Sequence, residues 1–154
     1  MTDYFLDSSA LVKRYINETG STWVNSLFNP ALDNEAFVAA ITPVEIVAAI
    51  TRRARGGTIT LTDATTACNF FRSDLLSSYQ VVQLTDGLIS RAMTLAEGHG
   101  LRGYDAVQLA AAFEVHALCV ANGLPVLTFV CADIELNAVA TSEGLAVENP
   151  NDHP

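Results

Sequence analysis

The chain has few basic residues. Lys and Arg together number 8 against 17 Asp and Glu among 154 residues, which gives a net charge of −9. The imbalance is stronger in the second half, because residues 78–154 carry 2 basic and 9 acidic side chains. This composition excludes the basic face of a protein that binds nucleic acid tightly and without selectivity. A surplus of carboxylates instead suits the binding of divalent cations or of a basic partner.

The chain also lacks an apolar run long enough to span a membrane. Its most apolar stretch, residues 106–121, is interrupted by Gln108, Glu114 and His116 and is therefore predicted to be a buried helix. No basic region followed by a long apolar one stands at the N-terminus, so we expect no signal peptide. These features predict a cytoplasmic protein without a membrane segment.

Several catalytic and metal-binding motifs are missing. There is no G-x-S-x-G, no Walker A loop and no G-x-G-x-x-G. The three cysteines lack the spacing of a zinc site, and their odd number in apolar segments indicates a reducing compartment. They are Cys68, Cys119 and Cys131. A phosphatase of the haloacid dehalogenase type needs a second Asp two residues after Asp7, where this chain has Ser9.

Short apolar runs alternate with helical patterns along the chain. The runs predicted as strands are residues 5–6, 37–41, 80–84, 126–130 and 145–147. The helices predicted between them include residues 42–55, 62–76, 86–98, 104–122 and 134–143, and Ser8 or Ser9 is expected to cap a further, first helix. Continuous apolar strands predict a mostly parallel sheet covered on both faces, in one α/β domain over 1–154 with a polar tail at 149–154.

Four acids stand in apolar surroundings. Asp7 in FLDSSAL and Asp133 in LTFVCADIEL each follow a predicted strand, whereas Glu45 in TPVEIVAAI and Asp105 in RGYDAVQLAAA lie in the first turn of a helix. Strand ends and the starts of the following helices share one edge of a parallel sheet. The four carboxylates are therefore expected to converge, and Mg²⁺ or Mn²⁺ would offset their mutual repulsion. Individually, Asp105 has the alternative of capping its helix and Glu45 that of pairing with an arginine.

The same stretches resemble the PIN-domain ribonucleases. DSSALVKRY after the first strand, TPVEIVAAI, YDAVQLAAA and TFVCAD occur in the order that the family shows, over nearly the whole chain. The chain is most similar to the toxins of VapBC-type toxin–antitoxin pairs. The resemblance implies a three-layer α/β/α fold and Mg²⁺- or Mn²⁺-dependent hydrolysis of RNA phosphodiester bonds by water that the metal activates. Whether one or two ions act is left open.

The resemblance also assigns roles to single residues. The family's four acids correspond to Asp7, Glu45, Asp105 and Asp133, and its small hydroxyl residue corresponds to Ser9. The chain departs from the family two residues before the fourth acid, where Cys131 replaces the usual Ser or Thr. The resemblance further implies a cognate antitoxin and a homodimer. A housekeeping PIN nuclease of RNA or DNA processing, and a catalytically silent PIN module that only binds partners, remain alternatives.

Two basic clusters are candidates for RNA contact. Arg52, Arg53 and Arg55 end the helix that carries Glu45, and Lys13-Arg14 ends the helix after Asp7. Basic residues at helix ends are explained equally well by the helix dipole. If they do contact phosphate, the weak overall attraction predicts selection of a folded RNA by its shape. The apolar face of residues 64–76 has two interpretations as well, the core or a surface for the antitoxin or a second copy.

Overall fold

The computed structural model describes all residues, 1–154. Its centre is a sheet of five short strands, which are β1 Asp3–Leu6, β2 Glu35–Ala39, β3 Gln80–Val82, β4 Thr128–Val130 and β5 Ala146–Glu148. The strands lie in the order β3-β2-β1-β4-β5, and all four neighbouring pairs are parallel. The predicted parallel sheet is thus confirmed.

Seven helices cover the sheet. They are α1 Ser8–Leu11, α2 Ser21–Ser26, α3 Thr42–Arg55, α4 Leu61–Ser77, α5 Asp86–His99, α6 Gly103–Ala121 and α7 Ile134–Ser142. Short 3₁₀ turns occur at Val12–Arg14, Pro30–Leu32 and Pro150–Asp152. No helix combines the length and the hydropathy that crossing a membrane requires.

Successive side chains along each strand point to opposite faces of the sheet, and this alternation divides the core into two halves. Phe5 and Phe129 point to the face covered by α5, α6 and α7, and their rings stack with centroids 6.0 Å apart. Leu6 and Val130 point to the opposite face, which α1 to α4 cover. Both faces of the sheet are therefore buried, and the three-layer α/β/α architecture expected from the sequence is confirmed.

Two details of the helices correct the sequence-based expectations. Asp7, not Ser8 or Ser9, caps α1, because its side chain accepts the Ala10 N–H. On α4, Phe70 and Leu76 are exposed, so only part of the predicted apolar face belongs to the core. Tertiary packing covers the remaining apolar side of α4, where Phe71 is buried.

The polar tail packs back onto the domain. Pro150 is buried against Gly20, whose φ of +86° and close approach to the Pro150 carbonyl leave no room for a Cβ atom. His153 stacks on Trp23 with ring centroids 4.3 Å apart and pairs with Glu148. The last residues thereby fix the start of α2.

The order of the strands creates a crevice at the carboxyl ends of β1 and β4. From β1 the chain moves outward to β2 and β3, and then returns to the other side of β1 to form β4 and β5. Such a reversal leaves a gap between the helices of the two faces, where ligands bind in open parallel sheets. Asp7 follows β1 and Asp133 lies three residues beyond β4, so both lie at this point.

Candidate active site

Asp7 is a buried carboxylate at the end of the central strand, with 3% of the residue exposed. Its backbone N–H donates to the Val130 carbonyl at 3.1 Å, which fixes it beside β4. Ser9 Oγ at 2.7 Å and Ala10 N at 3.1 Å donate to Oδ1. The Cys131 thiol donates to Oδ2 at 3.2 Å. Both oxygens of this carboxylate are therefore held in place.

The surroundings of Asp7 disfavour its charged form. Burial raises its pKa from 3.8 to about 6, against the effect of the donors from Ser9, Cys131 and Ala10, and the Glu45 carboxylate adds a small rise. A buried carboxylate is costly unless it is hydrogen-bonded and its charge is offset. Three donors meet the first need, and a bound cation would meet the second.

Glu45 is held from two other helices. It lies in the first turn of α3, where Ser8 Oγ donates to Oε2 at 3.1 Å and Gln108 Nε2 donates to Oε1 at 2.7 Å. The same Gln108 nitrogen lies 2.9 Å from Thr42 Oγ1. Glu45 makes no ion pair, so the alternative of an arginine partner is wrong.

Gln108 is a residue of the site that the sequence reasoning missed. It is 1% exposed and lies three residues after Asp105, on the same face of α6. That spacing from a predicted site acid was the available signal. Its Oε1 is buried without a hydrogen-bond partner, so the amide is oriented by its two bonds to α3.

Asp105 is half-buried in the first turn of α6. Burial raises its pKa, and the charges of Asp133 and Glu45 act in the same direction, whereas Arg102 opposes them. The charge of Glu45 therefore influences the pKa of both Asp7 and Asp105, and that of Asp133 influences the pKa of Asp105. Arg102 is a second residue that the sequence reasoning missed, although it stands only three residues before Asp105.

Asp133 is the most exposed of the four acids. Its Oδ1 accepts the N–H groups of Glu135 at 2.8 Å and Leu136 at 3.1 Å and so caps α7. Its Oδ2 makes no hydrogen bond, and the charge of Asp133 helps to raise the pKa of Asp105. Asp133 thus has a structural role and retains one free oxygen.

Ser9 and Cys131 join the loops that follow β1 and β4. Besides donating to Asp7, the Ser9 hydroxyl accepts the Ala132 N–H at 2.9 Å. Burial raises the pKa of the Cys131 thiol, and the Asp7 carboxylate adds to this rise, so the group is a neutral donor. Cys131 therefore supplies Asp7 with the kind of hydrogen bond that a hydroxyl would make.

The donor set suits a hydrated hard cation. Carboxylate and hydroxyl oxygens are the ligands that Mg²⁺ and Mn²⁺ prefer. No three His, Cys, Asp or Glu side chains lie close enough together to hold a metal ion by themselves. Because Mg²⁺ usually keeps several waters and binds through one or two carboxylates, this arrangement is compatible with it.

A groove of about 690 Å³ is lined by two of the four acids and by Ser8, Ser9 and Ala132, which are neighbours of the other two in the chain. Glu45 and Asp105 lie in its wall. Half of the protein's 8 basic residues line it as well, namely Lys13, Arg52, Arg53 and Arg102. The groove therefore combines carboxylates with a local concentration of positive charge that the net charge of −9 conceals.

The cations predicted to contact RNA differ in their placement. Arg52 lines the groove without an ion-pair partner, whereas Lys13 and Arg53 both pair with Glu18, at 3.2 and 3.0 Å. Arg55 lines a separate, largely apolar groove between α3 and α4.

Arg14 lies away from the acidic edge. It pairs with Asp74 at 3.6 Å and donates to Tyr79 Oη, and its guanidinium lies 3.8 Å from the centre of the Phe28 ring. These contacts give it a packing role at the far end of α4. Of the predicted RNA-contact candidates, Arg14 thus lies outside the groove that holds Glu45 and Asp105.

Comparison with known proteins agrees with this architecture. The PIN domain family matches residues 4–129. Ribonuclease VapC45 of Mycobacterium tuberculosis is 31% identical over 143 residues, covering 93% of this chain and 92% of the relative. The chain belongs to the PIN-domain family, and its sequence relatives include VapC ribonucleases.

Solved structures share the fold at low sequence identity. VapC20 of Mycobacterium tuberculosis, described as a sarcin–ricin loop cleaving toxin, matches with a TM-score of 0.62 at 14% identity, over 98% of this chain and 99% of the other. VapBC2 of Rickettsia felis, bound to a DNA fragment from its promoter, matches with a TM-score of 0.60 at 16% identity, over 96% and 98%. At these identities the likeness concerns the fold alone.

Proposed function

We propose that this chain is a metal-dependent endoribonuclease and the toxin of a toxin–antitoxin pair. Its 31% identity to a VapC ribonuclease over 93% of the chain supports the RNA substrate. The observation that carries the proposal is the position of Asp7, which is buried at the strand crossover and shares its environment with Glu45 under a groove lined by four cations.

Asp7, Glu45 and Asp105 would hold Mg²⁺ or Mn²⁺, directly or through water. Asp133, with its free Oδ2, would serve a second ion or orient the attacking water. When bound there, a divalent cation would lower the pKa of a water molecule and would offset the negative charge that develops on the phosphate oxygens.

The chain's own residues supply orientation. Ser9, Ala10 and Cys131 fix both oxygens of Asp7, and Ser8 and Gln108 fix those of Glu45. Fixed donors and acceptors cost no reorganisation when charge develops during the reaction.

On the walls of the groove, the free cations Arg52 and Arg102 would take the phosphates that flank the cleaved bond. Two unpaired guanidinium groups beside the carboxylates compensate for the repulsion between RNA and a protein of net charge −9.

The proposal includes partners. A VapBC complex shares the fold, which supports a protein antitoxin that neutralises this chain until it is released. A homodimer and action in the cytoplasm, where RNA targets are found, complete the proposal.

The test compares the wild type with Asp7→Asn, both in growing cells and on purified total RNA with Mg²⁺, Mn²⁺ or EDTA. Cleavage and growth arrest are expected to require a divalent cation and to disappear in Asp7→Asn. Glu97→Gln, an exposed acid on α5 without an ion pair, is the matched control. Metal binding is measured independently of activity by the melting temperature. Mn²⁺ should raise the melting temperature of the wild type but not that of Asp7→Asn.

The other outcomes separate the alternatives. Cleavage without growth arrest would indicate a housekeeping PIN nuclease. Growth arrest that persists in Asp7→Asn, without cleavage by either protein, would indicate a PIN module that acts by binding.

A further inference from the structure

Tyr104 differs from the other tyrosines of the chain. Tyr15 and Tyr79 hydrogen-bond to each other and pack around Phe71, and Tyr4 is partly buried against the same core. Tyr104 is 63% exposed, and its hydroxyl makes no hydrogen bond. Its ring therefore contributes little to the fold and is available to a ligand.

The position of Tyr104 is next to the proposed chemistry. It lies in the first turn of α6, directly before Asp105 and two residues after Arg102, and all three line the groove. From α3, Val44 and Arg52 line the same groove, and Val44 is 64% exposed. An exposed aromatic ring and an exposed aliphatic side chain thus line the same groove as two unpaired cations and a carboxylate.

We infer that Tyr104 stacks on an unpaired RNA base next to the cleaved phosphate and thereby positions the substrate in the groove. This inference rests on the proposed function. Every base has a π-face that can stack on an aromatic side chain, but a paired base inside an A-form helix is already stacked on its neighbours. Arg102 and Arg52 would bind the phosphates on either side of that nucleotide, which combines stacking with backbone charge as single-strand sites do.

The experiment uses full-length Asp7→Asn protein, which is expected to bind RNA without cleaving it. The probe is a mixed-sequence RNA oligonucleotide that carries 2-aminopurine, either single-stranded or annealed to its complement. Tyr104→Ala and Tyr104→Phe are compared in this background. Phe70→Ala, which removes an equally exposed aromatic ring from α4, is the control.

Tyr104→Ala is expected to weaken single-strand binding about 5- to 150-fold, which is the range for losing one stacked base. Tyr104→Phe and Phe70→Ala should leave it unchanged, and duplex binding should respond to none of the three. The fluorescence of 2-aminopurine should be quenched on binding and should recover with Tyr104→Ala. This optical signal distinguishes stacking from a merely structural role of the ring.

Equal single-strand affinity of Tyr104→Ala and its parent, or an equal loss with Phe70→Ala, would overturn the inference. If the parent prefers the duplex, the inference is also wrong, although RNA cleavage by the wild type would still support the proposed function. If neither RNA form binds and the wild type cleaves no RNA, both proposals fail.

Discussion

The Cys131 sulfur lies 3.2 Å from Oδ2 of Asp7 and donates its proton to that oxygen. This hydrogen bond links Cys131, where this chain departs from its family, to Asp7, the first acid of the proposed site. Because the thiol is buried and neutral, it lowers the pKa of Asp7 against the opposing effect of burial. The departure from Ser or Thr thus weakens a hydrogen bond without abolishing it, since sulfur is the weaker donor.

The first prediction concerns this hydrogen bond. Cys131→Ala removes the donor and should raise the pKa of Asp7 further, so the pH midpoint of Mn²⁺ binding should move upward. Cys131→Ser keeps a donor and should leave the midpoint unchanged or move it downward. Calorimetric titration of Mn²⁺ across pH measures both. Identical midpoints in the three proteins would show that the thiol does not influence Asp7.

The second prediction concerns the stability cost of Asp7. Well below the unperturbed pKa of 3.8, near pH 3, the carboxyl is largely protonated in both the folded and the unfolded chain, so it imposes no penalty. Between the unfolded pKa of 3.8 and the folded pKa of about 6, the unfolded chain ionises this carboxyl while burial keeps it protonated in the folded protein. Stability is therefore lost over this window and stays lower above it.

Asp7→Asn removes that cost. In metal-free protein near neutral pH it should raise the free energy of unfolding by up to about 3 kcal/mol, given about 1.4 kcal/mol for each pH unit of displacement. Near pH 3, well below the unperturbed pKa of 3.8, the gain should vanish. Urea unfolding at both pH values measures it, and Glu97→Gln should show no such difference. A destabilised Asp7→Asn protein at neutral pH would contradict the burial argument.

Much of the fold was predictable because it depends on local patterns. Continuous apolar runs located every strand, and the Gly56-Gly57 pair marked the end of α3, which stops at Arg55. The parallel topology also places Asp7 and Asp133 after neighbouring strands, since β1 pairs with β4 and strand ends share an edge. These inferences need only the hydrophobic periodicity of each helix or strand and the parallel arrangement of the strands.

The missing parts depend on contacts between distant segments. Arg14 and Lys13 are neighbours in sequence, but Arg14 turns to Asp74 on α4 and Lys13 to Glu18. A basic pair at a helix end does not reveal which acid will approach it. Gln108 was overlooked for a similar reason, because its partners Thr42 and Glu45 are more than sixty residues away.

The third prediction concerns Glu18, which bridges Lys13 and Arg53 at the groove. Lys13 has a side chain only 7% exposed, so Glu18→Gln leaves a largely buried ammonium without its partner. We expect a loss of about 1–2 kcal/mol in stability, between the values for exposed and buried pairs. The double variant Lys13→Met with Glu18→Gln should recover most of this loss in a double-mutant cycle.

Although Glu18→Gln is expected to lower stability, it should increase the affinity for RNA. Removing one negative charge from the groove wall frees Arg53, so metal-free Asp7→Asn protein carrying Glu18→Gln should bind RNA more tightly. The salt dependence of log K should steepen by about 0.7, the slope for one additional single-strand phosphate contact. An unchanged slope would mean that Arg53 does not reach the RNA.

The fourth prediction concerns the pair formed by Gln108 and Glu45. Gln108→Leu keeps the apolar bulk of a buried side chain but removes the donors to both Glu45 and Thr42. Since Glu45 would then be oriented by Ser8 alone, kcat on RNA should fall about tenfold, the effect of losing about 1.4 kcal/mol of oriented interaction. KM should change little, because neither residue is among the groove's cations.

Thr42→Val is the matched control for this pair. It removes the other acceptor of the Gln108 amide and leaves the bond to Glu45 in place, so its effect on kcat should be smaller. If both variants reduce kcat equally while lowering the melting temperature equally, Gln108 serves the packing of α3 against α6. If Gln108→Leu lowers kcat more than Thr42→Val does and also lowers the affinity for Mn²⁺, Gln108 acts by orienting the Glu45 carboxylate.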